Sequence, residues 1–555
     1  MSCLFRRIGF PSERRTPLLR GITITILSAL SLLSPGTMFA QGYIVVDVGS
    51  LGGNMAASTG INDQGQVVGY GYLADNVTYH PFLWDSVHGM QDLGVLSGFQ
   101  SGFALGINNL GQVAGDCDTY PFTNQNGFVW DAVHGMRDLG TATGTDSGFV
   151  GINDAGQIAG YYYPGTDRAI LHDGSGSLST SDDLGILPGG TESFAFGLNN
   201  AGQVAGTGDT DSGDQHAVVW DGFSGVQHLG MLPGGSLAWA EDINDSGDVV
   251  GFSDTSLGPY HAFVYSGGEM TDLGTLPGYP HSMAFGIDPS GTQVVGQASL
   301  HGFPTDNPIA NPMHGVLWRD GLIYDLNTLI APGSGWVFEG AFRINAHGQI
   351  TGSGYNGSQR HALLLDPIVL SSLTVSPTTV AGSKTATGKV TLTAPAVVDA
   401  YVDLASQNPA AIVPSSVKIA AGHSSASFTI KTTAVSAPVT GQIMAFDGVY
   451  QSALLTVRPI GVKSVSISPS SVVGGNSVNG TVMLESPAAP GSITVSLSST
   501  DPAVANPAVS SITIAAGSQT GTFTVNTSHV AANTSVTIKA SANGITKGKA
   551  LTITP

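Results

Sequence analysis

From residue 43 onward the chain alternates apolar and polar residues in short runs, interrupted every few residues by Gly, Asn or Pro. Such two-residue alternation predicts half-buried β-strands. Residues 238 to 273 give the clearest unit. "AWAEDIN" and "GDVVGFS" flank a tight "NDSG" turn, "HAFVY" follows a loop, and "EMTDLG" follows the Gly-rich "SGG". In the related "INDQGQVVG", Asn62 can start a turn by bonding its own backbone, and Gly65 supplies the positive φ of a bulged hairpin loop. "LPGG" at 187 to 190 and 232 to 235 suits a type II turn, with Pro second and Gly third.

The unit repeats. "DLG" recurs at Asp92, Asp138, Asp183, His228 (as "HLG"), Asp272 and Asp325 (as "DLN"), and "VDVG" at Asp47 fits the same slot. An "IN..G" element follows each, at Asn62, Asn108, Asn153, Asn199, Asn244, Asp288 and Asn345. Four antiparallel strands in about 45 residues is the period of a propeller blade. The last unit, 336 to 366, supplies three strands and lacks a fourth, while "YIVVDV" at 43 to 48 is a fourth strand without a unit. The expected architecture is therefore an all-β, seven-bladed propeller over 41–367 whose N-terminal strand closes the ring. An open superhelix is the alternative.

"HAFVY", "HALLL" and "HAVVW", followed by "DLGTLPG" and "GINDQGQVVG", resemble the HAF family of bacterial extracellular repeats. The resemblance implies export and repetition but no particular activity. The HAF slot departs to "HPF" at 80, "NGF" at 126, "RAI" at 168 and "HGV" at 314. After Pro367 the chain turns to Ser, Thr, Val, Ala and Gly, and "LTVSPTTVAGSKTATGKVTL" is echoed by "VSISPSSVVGGNSVNGTVML". Two β-sandwiches are expected, over 368–459 and 460–555, similar to bacterial immunoglobulin-like modules that serve as spacers or adhesive stalks.

Composition narrows the setting. Arg6, Arg7, Arg14, Arg15 and Arg20 precede the apolar "GITITILSALSLL" and the small-residue "SPGTMFA", which reads as a secretory signal over 1–40; no later run is long enough to span a bilayer. The expected location is secreted or cell-surface, with the periplasm a further compartment. Beyond the signal only Cys117 remains, so no internal disulfide forms and stability comes from packed core. Residues 41 to 367 hold 33 acidic and five basic side chains with no lysine, whereas 368 to 555 holds nine basic and five acidic. The acidic half disfavours nucleic acid and anionic headgroups, leaving extracellular glycans or proteins as partners. Oligomeric state has no signature.

Residues that break the repeat are the candidates for function. Trp239, Glu241 and Asp242 open the fifth unit, and Trp336, Glu339 and Arg343 open the seventh. Between them the sixth lengthens its second-to-third-strand connection to 297–313. In adjacent blades these would share one mouth, where Trp rings stack on sugar faces and carboxylates bond hydroxyls. If the protein is an enzyme, Glu241 and Glu339 are the acid and base of a glycoside hydrolase or lyase; otherwise it binds or is purely structural. The histidines His80, His216, His261, His314 and His361 occupy equivalent places on different units and read as structural rather than as one metal site. Trp84, Trp130, Trp220 and Trp318 share one slot and read as core. Calcium is the one cofactor left open. "DTDSGDQ", with Asp209, Asp211 and Asp214, is either a calcium loop or an acidic solvated one, and Gly213 falls a place early for the calcium turn.

Overall fold

The computed structural model describes residues 42–119, 124–142, 146–222, 225–302, 313–489 and 491–555. The signal-like segment 1–40 and most of the 297–313 connection lie outside the described residues. The described chain divides into two units, Gly42–Pro367 and Ile368–Pro555. It is all-β, with antiparallel sheets apart from two short parallel pairs in the second unit, Thr379–Ala381 with Tyr450–Arg458 and Ser471–Val473 with Ile545–Thr554, and no helix among the described residues is long and apolar enough to cross a membrane.

The front unit holds seven small sheets in chain order. The fifth shows the pattern: Ala238–Ile243, Val249–Asp254, Tyr260–Ser266 and Glu269–Asp272 form one antiparallel meander. The seventh contains Val337–Ile344, Ile350–Asn356 and Gln359–Pro367, and its fourth strand is Tyr43–Gly49, with Tyr43 opposite Pro367 and Val46 opposite Leu364. Tyr43 and Val48 are buried there, and Tyr43 N–H donates to Leu329 O at 2.7 Å. The first strand of each sheet packs on the second strand of the sheet before it. The series returns on itself, because Ala56–Ile61 packs on Ile350–Asn356. Ser58 Oγ crosses that seam to Gly352 O at 2.6 Å.

Aliphatic residues and the repeated Trp fill the gaps between sheets. Val250 and Ala262 of the fifth sheet meet Ala284, Val316 and Trp318 of the sixth. Trp84, Trp220 and Trp318 are all buried in such layers. The hairpin Asn does more than close its own turn. Asn62 Oδ1 accepts from Gln64 and Gln66 N–H, and its Nδ2 donates to Asn108 O of the next sheet at 3.0 Å. Asn108, Asn153 and Asn199 pass the same bond onward, and Asn345 returns it to Asn62 O at 3.0 Å. A carboxamide satisfies acceptor and donor needs at once, which explains why this slot is Asn in six of seven repeats.

The third sheet departs from the expected four strands. It has three, Ser147–Ile152, Ile158–Tyr162 and Arg168–His172. In place of a fourth, Ser179 caps a 3-10 turn, Thr180–Asp182, and Asp182 bonds back to the Ser179 N–H at 2.7 Å. The run "STSDD" favours this reciprocal cap over an extended strand.

Each half of the second unit is a four-stranded sheet facing a five-stranded one across a single core. The first core runs from Ile368 to Val457 and the second from Ile460 to Ile553. In both, a strand glycine lies under an aromatic ring: a Cβ on Gly388 would fall 2.2 Å from Phe428, and one on Gly480 2.2 Å from Phe523. Two of the region's five aromatics are thus placed in matched Gly–Phe pairs.

Candidate functional site

Every first strand of the front unit carries a β-bulge at the same point, which leaves one residue out of the ladder, and the seventh carries a second bulge at Glu339. The residues bulged at the shared point are Thr59, Leu105, Val150, Phe196, Glu241, Phe285 and Phe342. All seven are half-buried. The residue after the bulge is Gly in five sheets, and in three of them the next sheet's backbone lies against it. A Cβ on Gly106 would stand 2.9 Å from Gly151 Cα, one on Gly197 2.8 Å from Asp242 Cα, and one on Gly286 3.0 Å from Arg343 Cα. The two exceptions are Asp242 and Arg343, on either side of the sixth sheet.

That geometry gathers Glu241, Asp242 and Arg343. Asp242 Oδ2 accepts from Ile287 N–H at 3.1 Å. Arg343 Nη1 donates to Phe285 O and to Phe342 O. Burial pushes the Glu241 carboxyl up to about 7, with Arg343 holding it down and Asp242 adding a smaller upward push. Burial also raises Asp242, again against Arg343. Phe285 and Phe342 lie beside the trio with ring centroids 5.8 Å apart. The cluster combines one acid close to neutrality, one guanidinium, a second carboxyl and two rings, chemistry suited to a hydroxyl-rich or mixed ligand.

The other predicted site residues go elsewhere. Trp239 is only 2% exposed and stacks on Phe252, with centroids 4.9 Å apart, beside Met283 and Tyr260. Its ring is core, so it offers no open face to a sugar. Glu339 is 3% exposed and bonds Arg360 Nε at 2.8 Å, while Arg360 also reaches Ser353 Oγ at 2.9 Å. Burial raises Glu339, and Arg360, not Glu241 or Arg343, is the charge that opposes it. Glu241 and Glu339 therefore belong to separate clusters. Trp336 is half-buried against His361, with centroids 5.3 Å apart. The shared mouth expected for these six residues reduces to Glu241, Asp242 and Arg343.

The calcium loop also resolves into other duties. Asp209 is buried, and its oxygens accept from Thr191 N–H at 2.6 Å, Glu192 N–H at 2.7 Å and Thr191 Oγ1 at 2.7 Å. Asp254 holds Ser236 and Leu237 in the same way one sheet later. Asp214 accepts from Ser212 Oγ at 2.6 Å, and the Asp211 side chain lies close to Gly189. Among the described residues no three His, Cys, Asp or Glu side chains converge as a metal site.

Sequence reasoning missed two sets of residues. The HAF-slot histidines pair with the "DLG" aspartates of the neighbouring strand: His80 with Asp92 at 2.9 Å, His261 with Asp272 at 2.8 Å, His314 with Asp325 at 2.7 Å and His361 with Asp47 at 2.8 Å. The signal was present in the exceptions. Where Asp becomes His228 its partner is His216, and where His becomes Arg168 the partner is Asp183. The second set is a buried acid group on the second sheet. Asp118 accepts from Tyr79 OH at 2.6 Å, and Asp116, which accepts from Gln125 Nε2, is pushed by burial and by Asp118 to about 7.

No known protein family matches the sequence, and no curated protein does. Solved structures offer only distant likenesses. The D0-D1 domain of Intimin is 12% identical over 34% of this chain and 99% of its own length, with a TM-score of 0.15. Domains 4 and 5 of the S-layer protein SbsC are 17% identical over 28% of this chain and 75% of theirs, with a TM-score of 0.13. The native conformation of E. coli alpha-2-macroglobulin is 10% identical over 92% of this chain and 39% of its own, with a TM-score of 0.17. TM-scores this low carry no argument about fold or function.

Proposed function

We propose that the protein is an exported binding protein of the bacterial surface or its surroundings. Its acidic front unit is a seven-bladed propeller closed by Tyr43–Gly49, and its two C-terminal sandwiches are immunoglobulin-like spacers. The observation that carries the reading is the placement of Glu241, Asp242 and Arg343 on first strands where the other sheets have Gly or uncharged residues. Ordinary sheet packing does not need charge at those positions, and burying it costs stability. The signal-like N-terminus and the HAF resemblance support export. The ligand is an extracellular glycan or protein whose hydroxyl or amide groups bond the trio while Phe285 and Phe342 cover its apolar face. Binding is favoured over turnover because Glu339, the partner carboxyl expected from the sequence, is committed to Arg360, and the neighbouring Asp242 is tied to Ile287 N–H.

The test is a glycan array and an affinity capture from extracellular matrix extracts, each run with the secreted protein and with Glu241→Gln and Arg343→Ala. Ligand retained by the native protein without product release, and lost in both variants, is the expected result. Product formation that disappears in Glu241→Gln would replace binding with catalysis. Retention that is identical in both variants would remove the trio from ligand contact and leave a structural role.

A further inference from the structure

The two C-terminal sandwiches repeat one another closely, so residues in which the copies differ report what the repeat itself does not require. Arg458 ends the strand Tyr450–Arg458 of the first sandwich, opposite Ala381, and the matching position of the second copy is Thr554, opposite Val473. Glu485 of the second sandwich matches Thr393 of the first. In the first copy, Thr393 Oγ1 accepts from Val369 N–H at 3.1 Å; in the second, Glu485 Oε2 accepts from Gly461 N–H at 2.9 Å. The carboxylate then does something a hydroxyl cannot. It takes Arg458 in a two-point pair, Nη1 to Oε2 and Nη2 to Oε1, both at 2.7 Å.

This pair forms one wall of a cavity of about 320 Å³ at the joint between the sandwiches, which Lys384 of the first and Lys463 of the second also line. Lys384 matches Asn476 in the other copy, and Lys463 matches Ser371. Each of the three cations is therefore uncharged where the sandwich occurs without this joint. Because Glu485 neutralises Arg458, two lysine charges remain on the rim, and both are exposed. Three of the nine basic residues beyond Pro367 thus converge on one concavity from two different sandwiches. Scattered solubilising lysines have no reason to do so.

We infer that the joint between the two sandwiches is an oxyanion-binding site, which takes a carboxylate, sulfate or phosphate group of an extracellular polymer between Lys384 and Lys463. Arg458, Glu485 and Thr379 line the same site as the two lysines. The inference is independent of the front-unit ligand and uses different variants. The C-terminal unit thereby takes the polyanions that the charge of the acidic front unit disfavours.

The experiment is titration calorimetry of the full-length chain at about 50 mM salt, where surface charges are weakly screened. The probes are a hexagalacturonate, a heparin-derived hexasaccharide, inorganic phosphate and an uncharged hexasaccharide, each also titrated into Lys384→Gln/Lys463→Gln. The expected result is binding of at least one anionic probe, no binding of the uncharged one, and at least tenfold weaker binding in the double variant with an unchanged melting temperature. The carboxylate, sulfate and phosphate probes tell which group is the natural one. Equal affinity in the double variant, or no binding of any anionic probe, would overturn the inference.

Discussion

Replacing Glu241 with Gln removes a carboxyl that burial has moved from 4.5 to about 7 while changing its shape very little. A raised carboxyl favours the folded state at low pH: its contribution is complete below the unfolded value and disappears as pH climbs through the folded one. Between these limits the folded protein holds a proton that the unfolded chain has released, so the ionised side chain costs the native state about 3 kcal/mol by the time the pH passes 7. Gln carries no such cost at any pH. With an unfolding entropy of about 2 cal/mol/K per residue over the front unit, this corresponds to a melting temperature about 4 °C higher for Glu241→Gln at pH 8, shrinking to nothing near pH 4. Scanning calorimetry at the two pH values, following the front-unit transition, measures it directly. An offset that is the same at both pH values, or a variant that loses stability as pH rises, would refute the burial argument and with it the electrostatic description of the trio.

Three further outcomes are expected. Gly106→Ala forces a Cβ to 2.9 Å from Gly151 Cα and should cost about 1–3 kcal/mol, whereas Gly151→Ala meets Leu198 Cβ at 3.6 Å and should cost clearly less; urea midpoints compare the two. Deleting residues 43 to 49 exposes the edge of Gln359–Pro367 and the core under Tyr43 and Val48, each worth about 1.5–3 kcal/mol, so the melting temperature should fall by several degrees; an unchanged melt would remove the closure. Trp239→Ala should destabilise the front unit by about 3–5 kcal/mol through the cavity it leaves beside Phe252, and it would be a ligand contact after all if binding were lost without any change in stability.

Strands and hairpins were legible because alternation and Asn–Gly turns act locally: the four strands read in 238 to 273 are those of the fifth sheet. The pairing of Tyr43–Gly49 with Gln359–Pro367 was legible for a different reason, since counting complete units exposes a missing strand without any knowledge of contacts. Side-chain placement across strands was harder to read. Trp239 breaks the repeat as a ligand platform would, yet its slot holds Ala57, Phe103, Gly148, Phe194, Met283 and Gly340 in the other six sheets. The residue opposite is an aromatic at both extremes of size: Gly148 faces Tyr161 and Trp239 faces Phe252. Trp239 is buried by Phe252 one strand away and Met283 one sheet away, distances that single-strand periodicity does not cover. The third sheet's missing strand was hidden for the converse reason, because "DLG" kept its spacing while the residues before it capped a turn. Glu241, Asp242 and Arg343 remained together because they stand at a bulge shared by every sheet.

The pairing of Tyr43–Gly49 with Gln359–Pro367 also sets an order of events during biosynthesis. His361 and Asp47 stand 314 residues apart in sequence yet 2.8 Å apart in space. Bringing such distant ends together costs about 5 kcal/mol of chain entropy before any contact forms. The strand Tyr43–Gly49 therefore waits, unpaired, until nearly the whole front unit has been synthesised behind it. Its short length and the exposed Asp47 keep that waiting edge from recruiting another chain, so the segment that finishes the fold is also the one most in need of protection while it is incomplete.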